Sequence, residues 1–122
     1  MAKIAVSSEG PDLDARIDPR FGRAAGFMIV DPQTMAFDYV DNGATQVMAQ
    51  GAGIQAAELV AGTGANVVLT GYVGPKAFRA LSAVGIAVGQ NLNDMTVRDA
   101  IQRFQQGEVE MAAAPNSRGH RA

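Results

Sequence analysis

The stretch Asn66-Val67-Val68-Leu69-Thr70-Gly71-Tyr72-Val73-Gly74-Pro75-Lys76-Ala77-Phe78-Arg79-Ala80-Leu81-Ser82-Ala83-Val84-Gly85-Ile86-Ala87-Val88-Gly89 decides the fold. Its first five residues read as a buried strand, and Gly71 to Gly74 break the run. Pro75 suits the first position of a helix because its missing N–H has no helical partner there in any case. The helix is expected to reach about Ala83, and Gly85 to Gly89 form the next strand. A strand, a helix and a strand in immediate succession make a right-handed βαβ unit, so the two strands are parallel.

Working outward toward the N-terminus, Gly51-Ala52-Gly53 opens an apolar helix carrying Ile54, Ala57 and Ala61, which ends near Gly62 and Gly64. Before it, Gly26-Phe-Met-Ile-Val-Asp31 reads as a strand, Asp31-Pro32-Gln33 as a turn, and Met35, Phe37 and Tyr39 as the inward residues of a returning strand. These two strands are expected to form a hairpin. Ile4 to Ser7 is the first strand, and the polar segment Glu9 to Arg23, with Gly10, Pro11, Pro19 and Gly22, is a long loop of the kind that carries function.

Toward the C-terminus, Thr96 and Asp99 have the spacing of a capping box ahead of Val97, Ala100, Ile101 and Phe104, and Gly107 closes that helix. The order β-ββ-α-βα-βα predicts an α/β fold with a mixed five-stranded sheet and helices on its faces. One domain is expected over 1–107. Residues 108–122 lose both period and bulky apolar content, and are expected to be a mobile tail that the fold can do without.

Composition narrows the function. The chain has 122 residues, 48% of them hydrophobic, and no apolar run approaches the length needed to cross a bilayer. Its opening residues lack the apolar core of a secretory signal, so a cytoplasmic location is expected, with no membrane partner. Ten basic and twelve acidic residues give a net charge of −2, which offers nucleic acid no attractive field. There is no cysteine, and the single histidine is His120. That excludes disulfides, thiolate zinc sites, Cys-ligated iron–sulfur clusters and a cysteine nucleophile together. A metal in the body of the chain would use carboxylates, thioethers or backbone oxygens, or would arrive wrapped in its own inorganic ligands.

Three places could receive an anion. At Gly71, Tyr72, Gly74 and Lys76 a strand ends and a helix begins, so free backbone N–H groups, the helix dipole and the Lys76 charge converge; the plain alternative is a tight turn with a solvated lysine. There Gly74 would permit close approach of the backbone or a positive φ. Gly51 and Gly53 mark a second helix start. They match a dinucleotide fingerprint on paper, but no strand directly precedes them and no acidic residue follows at the required distance. In the first loop Asp12, Asp14, Arg16, Asp18, Arg20 and Arg23 interleave, which reads as a solvated and self-paired segment; Arg20 and Arg23, flanking Phe21-Gly22, are the residues promoted as ligand-facing. The methionines fall mostly where a core needs filling, and Met48, beside Gly51, is the one placed for thioether ligation. No catalytic constellation is present, so an enzyme is not expected.

Taken together, Asp18-Pro-Arg-Phe-Gly-Arg23, Asn42-Gly43, Gly51-Ala-Gly-Ile-Gln-Ala-Ala-Glu-Leu59 and Thr70-Gly-Tyr-Val-Gly-Pro-Lys-Ala-Phe78 resemble the dinitrogenase iron-molybdenum cofactor biosynthesis family, over about Lys3 to Gln106. The resemblance implies a ribonuclease-H-like fold without nuclease residues and a role in binding or carrying cofactor precursors. The absence of cysteine makes the chain similar to members that hold a mixed molybdenum–copper sulfide cluster non-covalently, with thiomolybdate as the inorganic partner. The cofactor-binding residues so expected are Arg20, Gly22, Arg23, Asn42, Gly51, Gly53, Gly71, Tyr72, Gly74 and Lys76. The alternative from the residues alone is a module for a phosphorylated metabolite or nucleotide at the Gly71 to Lys76 turn.

Overall fold

A computed structural model describes residues 3–43 and 51–115 of the chain. The elements are β1 (Ile4–Ser8), β2 (Gly26–Val30), β3 (Phe37–Asp41), α1 (Ala52–Ala61), β4 (Val67–Leu69), α2 (Pro75–Ala83), β5 (Ala87–Gln90), α3 (Val97–Gln105) and β6 (Glu110–Met111). They build one mixed sheet in the order β3-β2-β1-β4-β5-β6. The hairpin of β2 and β3 is antiparallel, as is the pairing of β1 with β2. β1, β4 and β5 run parallel, so the βαβ unit forms as its sequence predicts.

The central strands β1 and β2 are buried at every position, because helices and loops cover both faces. Even and odd positions feed two cores. Ala5, Phe27, Ile29, Val68 and Val88 pack with Ala56, Val60, Ala77 and Leu81 from α1 and α2. Ile4, Val6, Met28, Val30 and Leu69 pack with Val97, Ala100 and Ile101 from α3. The capping box of α3 is complete: the Asp99 amide donates to Thr96 Oγ1 at 3.1 Å and the Thr96 amide to Asp99 Oδ2 at 3.2 Å. Among the described residues no helix is long and apolar enough to cross a membrane.

Two expectations are corrected. The sheet has six strands, not five: Glu110 and Met111 pair with Gln90 and Gly89 on the outer edge of β5. Two exposed residues carry no readable period. What fixes them is polar, since Glu110 accepts from Gln90 Nε2 and, at 3.1 Å, from Asn91 Nδ2, while the Ala112 amide donates to Val88 at 2.7 Å. The expected tail, 108–122, thus contains a strand at Glu110–Met111; its last residues, including His120, lie outside the described residues.

The second correction concerns β3. Met35 lies in the turn before it with a φ of 64° but still packs against the core beneath α3, as Tyr39 does, so of the expected inward trio only Phe37 is exposed. The Tyr39 ring crosses Gly26, where a Cβ would come within 2.2 Å of its hydroxyl oxygen. Glycine at that strand position is thus required by a neighbouring aromatic rather than by backbone conformation.

Candidate functional site

The long loop between β1 and β2 does not swing free. Leu13 and Ile17 enter the core beneath α3, and Phe21 enters the core beneath α1 and α2, its ring 5.3 Å from that of Phe27. Burying Phe21 alone is worth on the order of 2 to 3 kcal/mol by apolar area. Backbone bonds then tie the loop to the turn after β4: the Tyr72 amide donates to Pro19 at 2.8 Å and the Phe21 amide to Tyr72 at 3.2 Å. The ends of the parallel strands, the loop and two helix starts thus meet at one end of the sheet, where a ligand crevice is expected in an α/β fold.

Some of the residues expected at a site come into direct contact. A Cβ on Gly22 would lie 3.0 Å from Gly53 Cα, and one on Gly53 would lie 3.1 Å from Ala77 Cβ, so loop, α1 and α2 are close-packed through missing side chains. Asn42 is buried and donates from Nδ2 to the carbonyls of Ala24, at 2.9 Å, and Gly22, at 3.4 Å. Its Oδ1 is buried and has no hydrogen-bond partner among the described residues. Gly71 is buried against Pro19 and Asn93, with a prospective Cβ 2.7 Å and 2.5 Å from them, so its role is to let two chain segments approach rather than to open a path to a ligand.

The two helix starts differ in detail. Gly51 precedes α1 at φ 82°, a conformation that favours glycine, whereas Gly74 precedes α2 at φ −78° and ψ 170°, which any residue adopts. The expected positive φ therefore belongs to Gly51 and not to Gly74. Among the described residues neither start has a side-chain cap, and neither has an acidic residue in its first turn. The first helical hydrogen bonds run from the Gln55 amide to Gly51 and from the Phe78 amide to Gly74. The amides of residues 52–54 and 76–77 are thus donors that no helical carbonyl accepts, and each helix adds the positive end of its dipole. Lys76 is exposed on the first turn of α2, and Arg23 is partly buried directly after Gly22.

Arg20 behaves differently from expectation. Its Nε and Nη2 each lie 3.2 Å from an oxygen of Asp18, and that hydrogen-bonded carboxylate raises the guanidinium pKa above its ordinary value, with smaller contributions from Tyr72 and Glu9. Its charge is answered within the loop. Two other charges of the segment reach outward, Asp14 to Arg98 at 2.9 Å and Arg16 to Asp94 at 3.7 Å. Among the described residues no three of the types His, Cys, Asp and Glu come together to hold a metal ion. Met48 lies outside the described residues.

Sequence reasoning passed over the polar floor under the loop. Ser7, Asp18 and Thr70 are all buried; Ser7 Oγ donates to the Asp18 carbonyl at 2.6 Å and lies 2.8 Å from Thr70 Oγ1. The signal available was the Asp18-Pro19 pair next to a buried Phe21, since Asp before Pro initiates turns.

Known proteins share this sequence pattern and this fold. The sequence model described as dinitrogenase iron-molybdenum cofactor matches residues 1–107. The orange protein of Desulfovibrio gigas, solved in its apo form, is 63% identical over 96% of this chain and 98% of its own, with a TM-score of 0.93. The NMR structure of a putative NifB protein from Thermotoga is 32% identical over 90% of this chain and 92% of its own, with a TM-score of 0.76. An uncharacterized protein of Methanocaldococcus jannaschii is 32% identical over 113 residues, 90% of this chain and 91% of its own.

Proposed function

We propose that this chain, which belongs to the dinitrogenase iron-molybdenum cofactor family, binds and carries an anionic metal–sulfur cluster without covalent protein ligands. The observation that carries this reading is the convergence of two uncapped helix starts, at Gly51 and Gly74, on one loop in a chain without cysteine. A cluster that brings its own sulfide shell needs N–H donors, nearby cations and apolar walls, not a thiolate. The amides of residues 52–54 and 76–77, Lys76 and Arg23 supply the first two. Gly51 and Gly74 leave the two starts without side chains, while Gly22 and Gly53 let the loop, α1 and α2 pack closely beside them.

In its finer form the proposal is a mixed molybdenum–copper sulfide cluster, assembled from thiomolybdate and copper and carried in the cytoplasm. The relationship to the orange protein supports a cluster of this kind, and nothing in the arrangement asks the protein to catalyse a reaction. The test is metal analysis and a visible spectrum of the chain purified from its native source, followed by reloading of the stripped protein. Co-purifying molybdenum and copper with a sulfide-to-metal absorption band is the expected result. A colourless, metal-free protein that binds nucleotide at the Gly71 to Lys76 turn would replace this reading with a phosphate-binding module.

A further inference from the structure

We infer that Asp18 is the positioning residue of the site and that Arg20 serves as its clamp rather than as a counter-charge for the ligand, an assignment that rests on the cluster-binding reading above. The Asp18 side chain is 4% exposed and accepts four hydrogen bonds from the loop itself. Oδ1 accepts the Arg20 amide at 3.1 Å and Arg20 Nε at 3.2 Å; Oδ2 accepts Arg20 Nη2 at 3.2 Å and the Ala25 amide at 3.3 Å. One carboxylate therefore ties residue 18 to both residue 20 and residue 25, closing the segment that contains Phe21, Gly22 and Arg23. Its own backbone is held by β1, the Asp18 amide donating to Ser7 at 3.0 Å and its carbonyl accepting from Ser7 Oγ.

A carboxylate at the edge of an anion site opposes the ligand unless its charge is neutralised, and a buried carboxylate without a partner is costly in its own right. Arg20 answers both demands. Its guanidinium is planar and spans the two Asp18 oxygens side by side, which an ammonium cannot do. The Asp18 and Arg20 charges cancel at short range, and Glu9 further offsets the guanidinium. The field that draws an anion then comes from the helix starts, Lys76 and Arg23, while the pair fixes where Gly22 sits against Gly53.

The separating variant is Arg20→Lys, which keeps the charge and loses the fork. Apparent affinity for tetrathiomolybdate plus copper is measured at two salt concentrations for the parent, Arg20→Lys, Arg20→Ala, Asp18→Asn and Lys76→Ala, with amide hydrogen exchange of residues 20–25 on the unloaded chains. Arg20→Lys should load about tenfold below the parent with the parent's salt dependence, while Arg20→Ala, which leaves the Asp18 charge unanswered, and Lys76→Ala each flatten that dependence. The Arg20 and Ala25 amides should exchange faster in Asp18→Asn. Parent-like loading of Arg20→Lys or tighter loading of Asp18→Asn would overturn the assignment and make Arg20 the counter-charge. Failure of the parent to load contradicts the cluster reading instead, and unchanged exchange in Asp18→Asn overturns the positioning role whether or not the parent loads.

Discussion

Gly22 of the first loop and Gly53 of α1 approach so closely that a Cβ on Gly22 would stand 3.0 Å from Gly53 Cα and 3.1 Å from its nitrogen. The contact is backbone on backbone, so neither side can swing away. Gly22→Ala should therefore push the loop off the helix and lower stability by about 1 to 3 kcal/mol, the usual range for overpacking a rigid contact. A denaturant midpoint that does not move would show that the loop adapts freely.

The two helix starts give opposite expectations. At Gly51, φ is 82°, and replacing it by Ala should cost about 1 to 2 kcal/mol through backbone strain. At Gly74 the backbone is extended, the conformation of an N-cap, so Gly74→Ser should stabilise α2 by a few tenths of a kcal/mol. The same hydroxyl would accept the amides offered to an anion. Higher thermal stability together with weaker cluster loading is the expected pair of results, and stronger loading would show that those amides are not the donors.

Ending the chain after Gly107 removes β6 and leaves the β5 residues Ala87 to Gln90, which bear no charge, as an open sheet edge. The truncated chain should lose several degrees of melting temperature and self-associate on light scattering, because an uncharged open edge invites pairing with another copy. Ending it after Pro115 keeps β6 and removes His120. That shorter cut should leave stability unchanged, and unchanged loading would deny His120 any part in metal capture.

The acid limb of stability should depend on Asp14. Its hydrogen bond and ion pair with Arg98 hold its pKa below the ordinary 3.8. A carboxylate with a lowered folded value contributes stability that is present above the unfolded value and lost as pH falls through the folded one. Arg98→Ala should thus be slightly less stable than the parent at neutral pH, with the difference closing below about pH 4. A difference that persists unchanged at pH 2 would assign the effect to lost packing of the Arg98 side chain.

Much of this fold was legible because its signals are local. Pro75 at a helix start, the change from a two-residue to a helical period after Asn42, and the Thr96 and Asp99 spacing each report on their own neighbourhood. Strand β6 was not legible, since Glu110 is held by Gln90 and Asn91 about twenty residues away in sequence, Met111 pairs with Gly89, and the two show no pattern of their own. For the site, the glycines were visible but their purposes were not. Gly71 yields to Pro19 and Asn93, and Gly22 to Gly53, contacts that only the folded chain reveals. Arg20 read as a free cation because nothing in a string of alternating charges says which acid is buried beside it, and Asp18 is that acid.

The central claim is that helix starts and nearby cations, not a protein ligand atom, hold the cluster. It is tested most directly by titrating the apo-protein with tetrathiomolybdate and copper, followed by absorbance, for the parent, Lys76→Ala, Arg23→Ala, Gly74→Ser and Met48→Ala at two salt concentrations. The account predicts that the first two substitutions each weaken loading about tenfold, that Gly74→Ser weakens it less, that affinity falls as salt rises, and that Met48→Ala loads like the parent. Parent-like loading in the lysine, arginine and glycine variants, with failure only in Met48→Ala, would contradict it and assign copper to a thioether.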